Sequence, residues 1–219
     1  WVGIRERSKN MQKTGKKNKN QNRENDKTIQ IKGRKKMKTL IINGSARKNG
    51  DTHSMIQELI KQLEGEYFIL QAHSCNIHAC VDCRYCWEHP QCCVQDGWQE
   101  LDAYLRECDN VVIASPIYFC EITGPVLSVL SRLQVYWAAK TFRSEKLLTK
   151  PKRGGMILLG GGKGTATAPM NTAAVLLKQM NVKEIFDPVC CFTTDVCRAV
   201  DDERTMKDLS GFAAFLNRK

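Results

Sequence analysis

The chain has 219 residues and a formal net charge of +11, from 34 Lys and Arg against 23 Asp and Glu. Residues 1–36 hold 13 basic and 3 acidic side chains, a net +10, whereas residues 37–219 hold 21 basic and 20 acidic, a net +1. Basicity therefore belongs to the leading segment and gives the body no reason to bind nucleic acid. A hydrophobic fraction of 42% excludes a wholly disordered chain. No apolar run approaches the roughly 18 residues of a membrane span.

From Arg5 to Lys36 the residues are mainly Lys, Asn, Gln and Arg, with isolated Ile29 and Ile31 and no aromatic side chain. No period there could bury a face, so disorder is predicted for residues 1–36. The segment has no apolar h-region of a secretory signal. With Glu24 and Asp26 inside a Lys- and Asn-rich stretch it is unlike a transit peptide. Met37 opens the first apolar strand and is read as the natural start, residues 1–36 being a non-native extension. The rival reading is a basic arm that touches nucleic acid or acidic lipid non-specifically. Residues 37–219 form one predicted domain.

In chain order, Met37–Asn43 (MKTLIIN) is a continuous apolar run closed by Gly44-Ser45, the form of a buried parallel strand. Met55, Ile56, Leu59, Ile60 and Leu63 then recur at helical spacing before Gly65. Tyr67–Gln71 is a second strand. A Cys-rich loop follows, and Asp96 with Gln99 forms a capping box for a helix that buries Trp98, Leu101, Leu105 and Cys108. Asn110–Ser115 is a third strand, predicted to end at Pro116. A helix from about Pro125 presents Val126, Leu127, Leu130 and Leu133. Gly155–Leu159 is a fourth strand, followed by a helix marked by Met170, Ala174, Leu177 and Met180. Ile185–Phe192 is a fifth, weakened by Pro188, and a closing helix carries Met206, Leu209, Phe212, Ala213 and Leu216. Alternating helices with continuously apolar strands imply a parallel sheet covered on both faces. The predicted fold is a doubly wound, flavodoxin-like α/β sheet of five strands in the order 2-1-3-4-5, in three αβα layers. Ligands of such sheets sit beyond the carboxyl ends of the strands, which singles out loops 44–53, 72–96, 116–124 and 160–169.

The loop Gly44-Ser45-Ala46-Arg47-Lys48-Asn49-Gly50-Asp51-Thr52 joins a tight turn, two hydroxyls, a guanidinium and a helix N-terminus, all suited to a phosphate dianion. It is neither a Walker A loop nor the dinucleotide fingerprint, and Gly160-Gly161-Gly162-Lys163-Gly164 also fails both patterns. An ordinary strand-to-helix turn capped by Ser45 and Thr52 is the plain alternative.

Eleven cysteines, an odd number without an export signal, argue for a reducing compartment, the cytoplasm, and against a disulfide scaffold. Cys80-x2-Cys83-x2-Cys86-x5-Cys92 lets three thiolates curl round one small object while a fourth closes the set, as in ferredoxin-type runs. Zinc fits less well, because structural zinc sites join two distant Cys pairs. Cys93 stands beside Cys92 and either can serve. The plain alternative is a metal-free thiol loop over a ligand or in a subunit contact. His73, His78 and His89 read as surface histidines, while Tyr85 and Trp87 shape a pocket or an interface.

Gly44-Ser45-Ala46-Arg47 through Thr52, Ser115-Pro116-Ile117-Tyr118-Phe119, Ile122-Thr123-Gly124 with Arg132, and the glycine run at 160–164 resemble the flavodoxin-like NAD(P)H-dependent FMN reductases. The Cys loop resembles that of their iron-sulfur flavoprotein branch, in which Cys92 matches the spacing better than Cys93. The resemblance covers residues 37–219. It implies that Ser45, Arg47, Thr52, Asn49 and Ser54 surround the FMN phosphate and that Pro116, Ile117, Tyr118 and Phe119 line the isoalloxazine ring. Gly161, Gly162 and Thr165 then close over its pyrimidine end, with Lys163 placing charge near N1 and O2. It also implies a [4Fe-4S] cluster on Cys80, Cys83, Cys86 and Cys92, NADH or NADPH as co-substrate, a homodimer or homotetramer, and no membrane. The chain departs from the pattern at Asp51, Cys120, Glu121, Leu127 and Ser131. The leading functional expectation is hydride transfer from NAD(P)H to flavin, then to a quinone, nitro-aromatic, flavin or similar small acceptor. The alternatives are an FMN and [4Fe-4S] electron carrier served by ferredoxin, and a non-enzymatic thiol or metal sensor.

Overall fold

A computed structural model describes residues 29–31 and 37–218. Strands β2 (Lys38–Asn43), β3 (Glu66–Gln71), β4 (Asn110–Tyr118) and β6 (Lys152–Leu159) lie parallel in the order β3-β2-β4-β6. β7 (Val182–Ile185) and β8 (Val189–Cys191) both pair with the far side of β6. This is the predicted 2-1-3-4-5 order.

Successive side chains of a strand point to opposite faces, and here both faces are covered. Leu40, Ile42, Val111, Ile113, Met156 and Leu158 pack against α3 (Trp98–Glu107), α4 (Gly124–Leu130), α5 (Gln134–Phe142) and α6 (Thr167–Gln179). Ile41, Val112, Ala114, Ile157 and Leu159 pack against α1 (Asp51–Gln62) and α7 (Glu203–Leu216). Polar residues on either face would be buried without partners, which is why these strands read as unbroken apolar runs. The Asp96–Gln99 capping box is present: Trp98 N donates to Asp96 Oδ1 and Asp96 N to Gln99 Oε1, each at 2.9 Å. Gly65, at φ 93, turns the chain from α1 into β3.

Three predictions need correction. The fifth strand, expected as Ile185–Phe192, is two short strands. Phe186 N still donates to Gly154 O (2.9 Å), but Pro188 has no N–H to continue the ladder. β4 does not stop at Pro116. It runs to Tyr118 and folds back through Phe119 (φ 51) and Cys120 (φ 61) into the two-residue strand β5 (Glu121–Ile122), the geometry of a tight two-residue hairpin. The single helix expected from Pro125 breaks into a 3-10 turn at Ser131–Leu133 and continues as α5, which was not foreseen. Leu127, placed in the core by its spacing, is 36% exposed. Within the segment expected to be disordered, β1 (Ile29–Ile31) pairs antiparallel with β3 at the sheet edge. The remainder of that segment lies outside the described residues.

Gly154 pairs with Val111 where β6 runs parallel beside β4, and a Cβ there would stand 2.3 Å from Val111 O, a backbone atom that cannot move aside. Gly154→Ala is expected to lower stability by roughly 1–3 kcal/mol, the usual cost of overpacking. At Gly124, where a Cβ would meet nothing within 4 Å, the same change should stay within about 1 kcal/mol of the parent. Urea unfolding midpoints followed by circular dichroism check the contrast.

Candidate functional site

The loops after β2, β3, β4, β6 and β8 all open at the carboxyl end of the sheet. In the first, a Cβ on Gly44 would lie 2.7 Å from Thr123 Oγ1 and Val126 Cγ2. Gly44 N donates to Ala114 O (2.8 Å), and Gly44 O accepts from Thr123 Oγ1 (2.9 Å), so this loop is stitched to the end of β4. Ser45 N donates to Asn43 Oδ1 (2.9 Å) and Arg47 N to Ser45 Oγ (3.2 Å). Ser45 is half-buried, while Arg47 and Asn49 are exposed. α1 then starts with no side chain capping it, so its first-turn N–H groups have no side-chain partner and are free for an anion. Asp51 faces away: its Oδ1 accepts from Ala199 N at 2.9 Å. Thr52 is buried, and Ser54 Oγ accepts from Arg198 Nη2 at 2.9 Å.

Pro116 and Ile117 are half-buried at the end of β4, and Tyr118 and Phe119 project from the hairpin, Phe119 fully exposed. Thr172 Oγ1 donates to Glu121 Oε2 (2.8 Å), which ties the hairpin to α6. The glycine run is zipped to the segment after β8: Thr193 N donates to Gly162 O (3.2 Å), Thr194 N to Gly160 O (3.1 Å) and Asp195 N to Gly161 O (3.3 Å). A Cβ on Gly161 would lie 2.5 Å from an Asp195 carboxylate oxygen, whereas one on Gly162 would meet nothing within 4 Å. Thr165 Oγ1 accepts from Thr167 N (3.1 Å) just before α6, while Lys163 is exposed. Segment 192–199 thus bridges the glycine run and the start of α1. Sequence reading passed it over, although Thr193-Thr194-Asp195 after an apolar strand is a turn signal.

The Cys loop leaves β3 and is held at both ends by one buried ion pair. Asp96 and Arg132 side chains are 2% and 1% exposed, with Arg132 Nη1 3.0 Å from Asp96 Oδ2. Arg132 Nη1 also donates to His78 O (3.0 Å) and Nη2 to Val94 O (3.1 Å), while His78 N donates to Asp96 Oδ2 (2.9 Å). Burial alone would raise the Asp96 carboxyl, but the N–H groups of His78 and Trp98 and the Arg132 guanidinium together hold it below its usual value. Cys80 N donates to Ser131 Oγ at 2.8 Å. The single turn α2 (Tyr85–Glu88) docks on α5, with Trp87 stacked on Phe142 at 4.2 Å and Arg143 Nη1 donating to Cys86 O.

Cys80, Cys83, Cys86, Cys92 and Cys93 all line one cavity of about 210 Å³, with Trp87, Trp137, Val81, Val135 and Arg132 in its wall. Cys83 Sγ lies 3.2 Å from Cys93 Sγ. The Tyr85 backbone N–H and the Cys93 side chain draw the Cys83 thiol below its ordinary pKa, and burial pushes Cys86 up. Among the described residues no three His, Cys, Asp or Glu side chains converge tightly enough to hold a single metal ion. A mononuclear zinc site would need four sulfurs at about 2.3 Å from one centre. Thiolates that each take a different iron of a four-iron cluster stand further apart, so a five-thiol cavity remains compatible with such a cluster.

The sequence model of the NADPH-dependent FMN reductase family matches residues 37–192. The chain belongs to that family. An iron-sulfur flavoprotein of Archaeoglobus fulgidus is 31% identical to it over 131 residues, covering 58% of this chain and 56% of the relative. One from Methanocaldococcus jannaschii is 27% identical over 100 residues, covering 44% of this chain and 51% of the relative. The chain spans about half the length of the curated relatives it matches. An NAD(P)H:quinone oxidoreductase from Methanothermobacter marburgensis superposes with a TM-score of 0.65 at 9% identity, over 84% of this chain and 98% of that one. An FMN-dependent NADH-azoreductase of Bacillus anthracis, solved with FMN, superposes at 0.62 and 14% identity, over 84% and 100%. These structural likenesses establish the fold. Among the described residues no helix is long and apolar enough to cross a membrane.

Arg132→Ala leaves the Asp96 carboxylate buried beside Trp98 and is expected to destabilise this family member by about 3–5 kcal/mol, the cost of stranding one partner of a buried pair. Because the folded-state pKa of Asp96 is depressed, its stabilisation is full above the ordinary value of 3.8 and is lost as pH falls through the lower folded value. Urea midpoints of parent and Asp96→Asn should therefore differ widely at pH 7 and converge toward pH 2. A constant difference would remove the ion pair from the account.

Proposed function

We propose that this chain is an FMN-dependent oxidoreductase that takes a hydride from NADH or NADPH and passes electrons to a small acceptor such as a quinone, nitro-aromatic compound or second flavin. The observation that carries this reading is the uncapped N-terminus of α1 beside exposed Arg47, with Asp51 turned to Ala199, next to the Pro116–Phe119 wall. A phosphate dianion fits the first feature and a planar ring the second. Arg47 and Ser45 would hold the phosphate, with Asn49 at the rim of the loop. Thr52 and Ser54 would shape the turn, since one is buried and the other already accepts from Arg198. Pro116 and Ile117 would press on the ring, Tyr118 and Phe119 would limit access to it, and Gly161 and Gly162 would let the backbone come close to its pyrimidine end. Thr165 would act there indirectly, through its hydrogen bond to Thr167 N at the start of α6. Bound FMN supplies the two-electron chemistry; the protein orients it and tunes its charge, with Lys163 as the nearby cation. The projecting Tyr118 and Phe119 also favour a homodimer or homotetramer that covers them.

A second reading, an electron carrier with FMN and a [4Fe-4S] cluster served by ferredoxin, is favoured by the five thiols around one cavity. The relatives named iron-sulfur flavoproteins support it too. Cys80, Cys83, Cys86 and Cys92 would hold the cluster, which supplies one-electron transfer. Cys86 and Cys92 pack against the core, which makes them firm ligands. Eleven free cysteines suit a reducing compartment such as the cytoplasm.

Arg47→Ala should weaken FMN binding roughly ten- to a hundredfold, the loss of one charged hydrogen bond, and leave riboflavin affinity unchanged. Fluorescence titration with both ligands measures this, and equal loss for the two would refute the phosphate assignment. Prompt anaerobic bleaching of the flavin by NADH or NADPH identifies a reductase. A flavin that ferredoxin reduces and nicotinamide does not identifies the carrier.

A further inference from the structure

We propose that Cys83 and Cys93 form a reversible disulfide that competes with the iron-sulfur cluster for the same loop. This rests in part on the reading above that Cys80, Cys83, Cys86 and Cys92 take a cluster. Five thiols line the cavity where four suffice, and the fifth is in contact with one of the four: Cys93 Sγ lies 3.2 Å from Cys83 Sγ, and both residues are exposed. A disulfide needs about 2.05 Å, so the sulfurs have little more than an ångström to close.

The closing movement falls in an exposed stretch of the loop. Cys83 sits between two left-handed non-glycine residues, Asp82 (φ 48) and Arg84 (φ 62), in an exposed stretch. The Asp96–Arg132 pair holds the loop at His78 and Val94, outside the segment that must shift. Two thiols in contact cannot each take a separate iron of one cluster. Cys93 is therefore the spare group and Cys92 the fourth ligand. Metal ligation needs a thiolate. A disulfide on Cys83 removes the middle thiolate of the Cys80-x2-Cys83-x2-Cys86 run and leaves three.

The oxidant is a peroxide. One thiol of the pair attacks the O–O bond, which breaks; the sulfur becomes a sulfenic acid and one water leaves. The other thiol attacks that sulfur, the S–S bond forms, the S–O bond breaks and a second water leaves. The two thiols give up two electrons and two protons, and hydrogen peroxide becomes two waters. A dithiol returns both electrons by exchange.

Trypsin cuts after Arg84, so Cys83 falls in peptide 62–84 and Cys93 in peptide 85–106. The full chain, freed of metal and reduced, is treated with one equivalent of hydrogen peroxide, digested without reductant and mapped by fragmentation mass spectrometry. The proposal expects a Cys83–Cys93 link in parent and Cys92→Ser protein and none in Cys93→Ser. In anaerobic reconstitution with iron and sulfide, reduced parent and Cys93→Ser should take up equal iron. Oxidised parent should take up none until dithiothreitol is added. A link to another cysteine, no link at all, a Cys93→Ser protein that cannot take iron, or an oxidised parent that loads iron like the reduced one would each overturn it. Reduced parent that takes up no iron sinks the cluster reading and the competition with it, while the mapped disulfide stands or falls on the peptides alone.

Discussion

The buried ion pair between Asp96 and Arg132 is the constraint on which the functional end of this molecule depends. Removing two charges from water costs several kcal/mol per ion, and their attraction repays this only when further hydrogen bonds complete both shells. Here most of those bonds come from the loop itself: His78 N and Trp98 N donate to the carboxylate, and His78 O and Val94 O accept from the guanidinium, whose buried Nε alone has no partner among the described residues. The pair is affordable only with the loop closed, and the loop is closed by the pair. Asp96 also starts α3, and Arg132 lies in the 3-10 turn before α5, so one interaction sets the thiols against both helices.

The other loops at this end of the sheet are coupled in a different way, mostly by hydrogen bonds that involve backbone atoms. Gly44 is gripped by Thr123 and Ala114, the glycine run by Thr193–Asp195, and α1 by Asp51 and Ser54 reaching Ala199 and Arg198. Three non-glycine residues in these loops, Phe119, Cys120 and Thr193, have positive φ. Such conformations are costly and persist where surrounding contacts impose them. α7 carries a side-chain cap, Asp202 to Thr205 N at 2.7 Å, while α1 has none. α4 and α5 also start without a side-chain cap, so what distinguishes α1 is that its uncapped start opens beside the exposed Arg47.

The two redox readings occupy neighbouring parts of one surface. The uncapped helix and ring wall belong to the carboxyl ends of β2 and β4, and the thiol cavity to the loop after β3, the strand next to β2. Ser131 touches the Cys loop through Cys80 N, and Thr123, at the other end of α4, touches Gly44. One short helix therefore spans the proposed flavin pocket and the thiol cavity, so a single rigid element sets their separation.

Sequence alone determined the layered sheet and its strand order, because strands buried on both faces must be apolar without interruption and the helices between them must carry an apolar stripe. It also singled out candidate loops at the carboxyl end of the sheet, since Ser45 and Arg47 are residue types that suit a phosphate and the cysteine spacing suits a cluster. It was silent on three matters, all of them contacts between residues far apart in the chain. Arg132 was a lone charge in the apolar run 126–137, a hint of a buried partner, but nothing local named Asp96, 36 positions away. Segment 192–199 acquired its role by docking on the glycine run. Cys93 looked interchangeable with Cys92 until folding placed it against Cys83. Local pattern reports which surface a residue prefers; only tertiary packing decides which partner it meets there, because that depends on the closure of loops whose ends are set by distant strands.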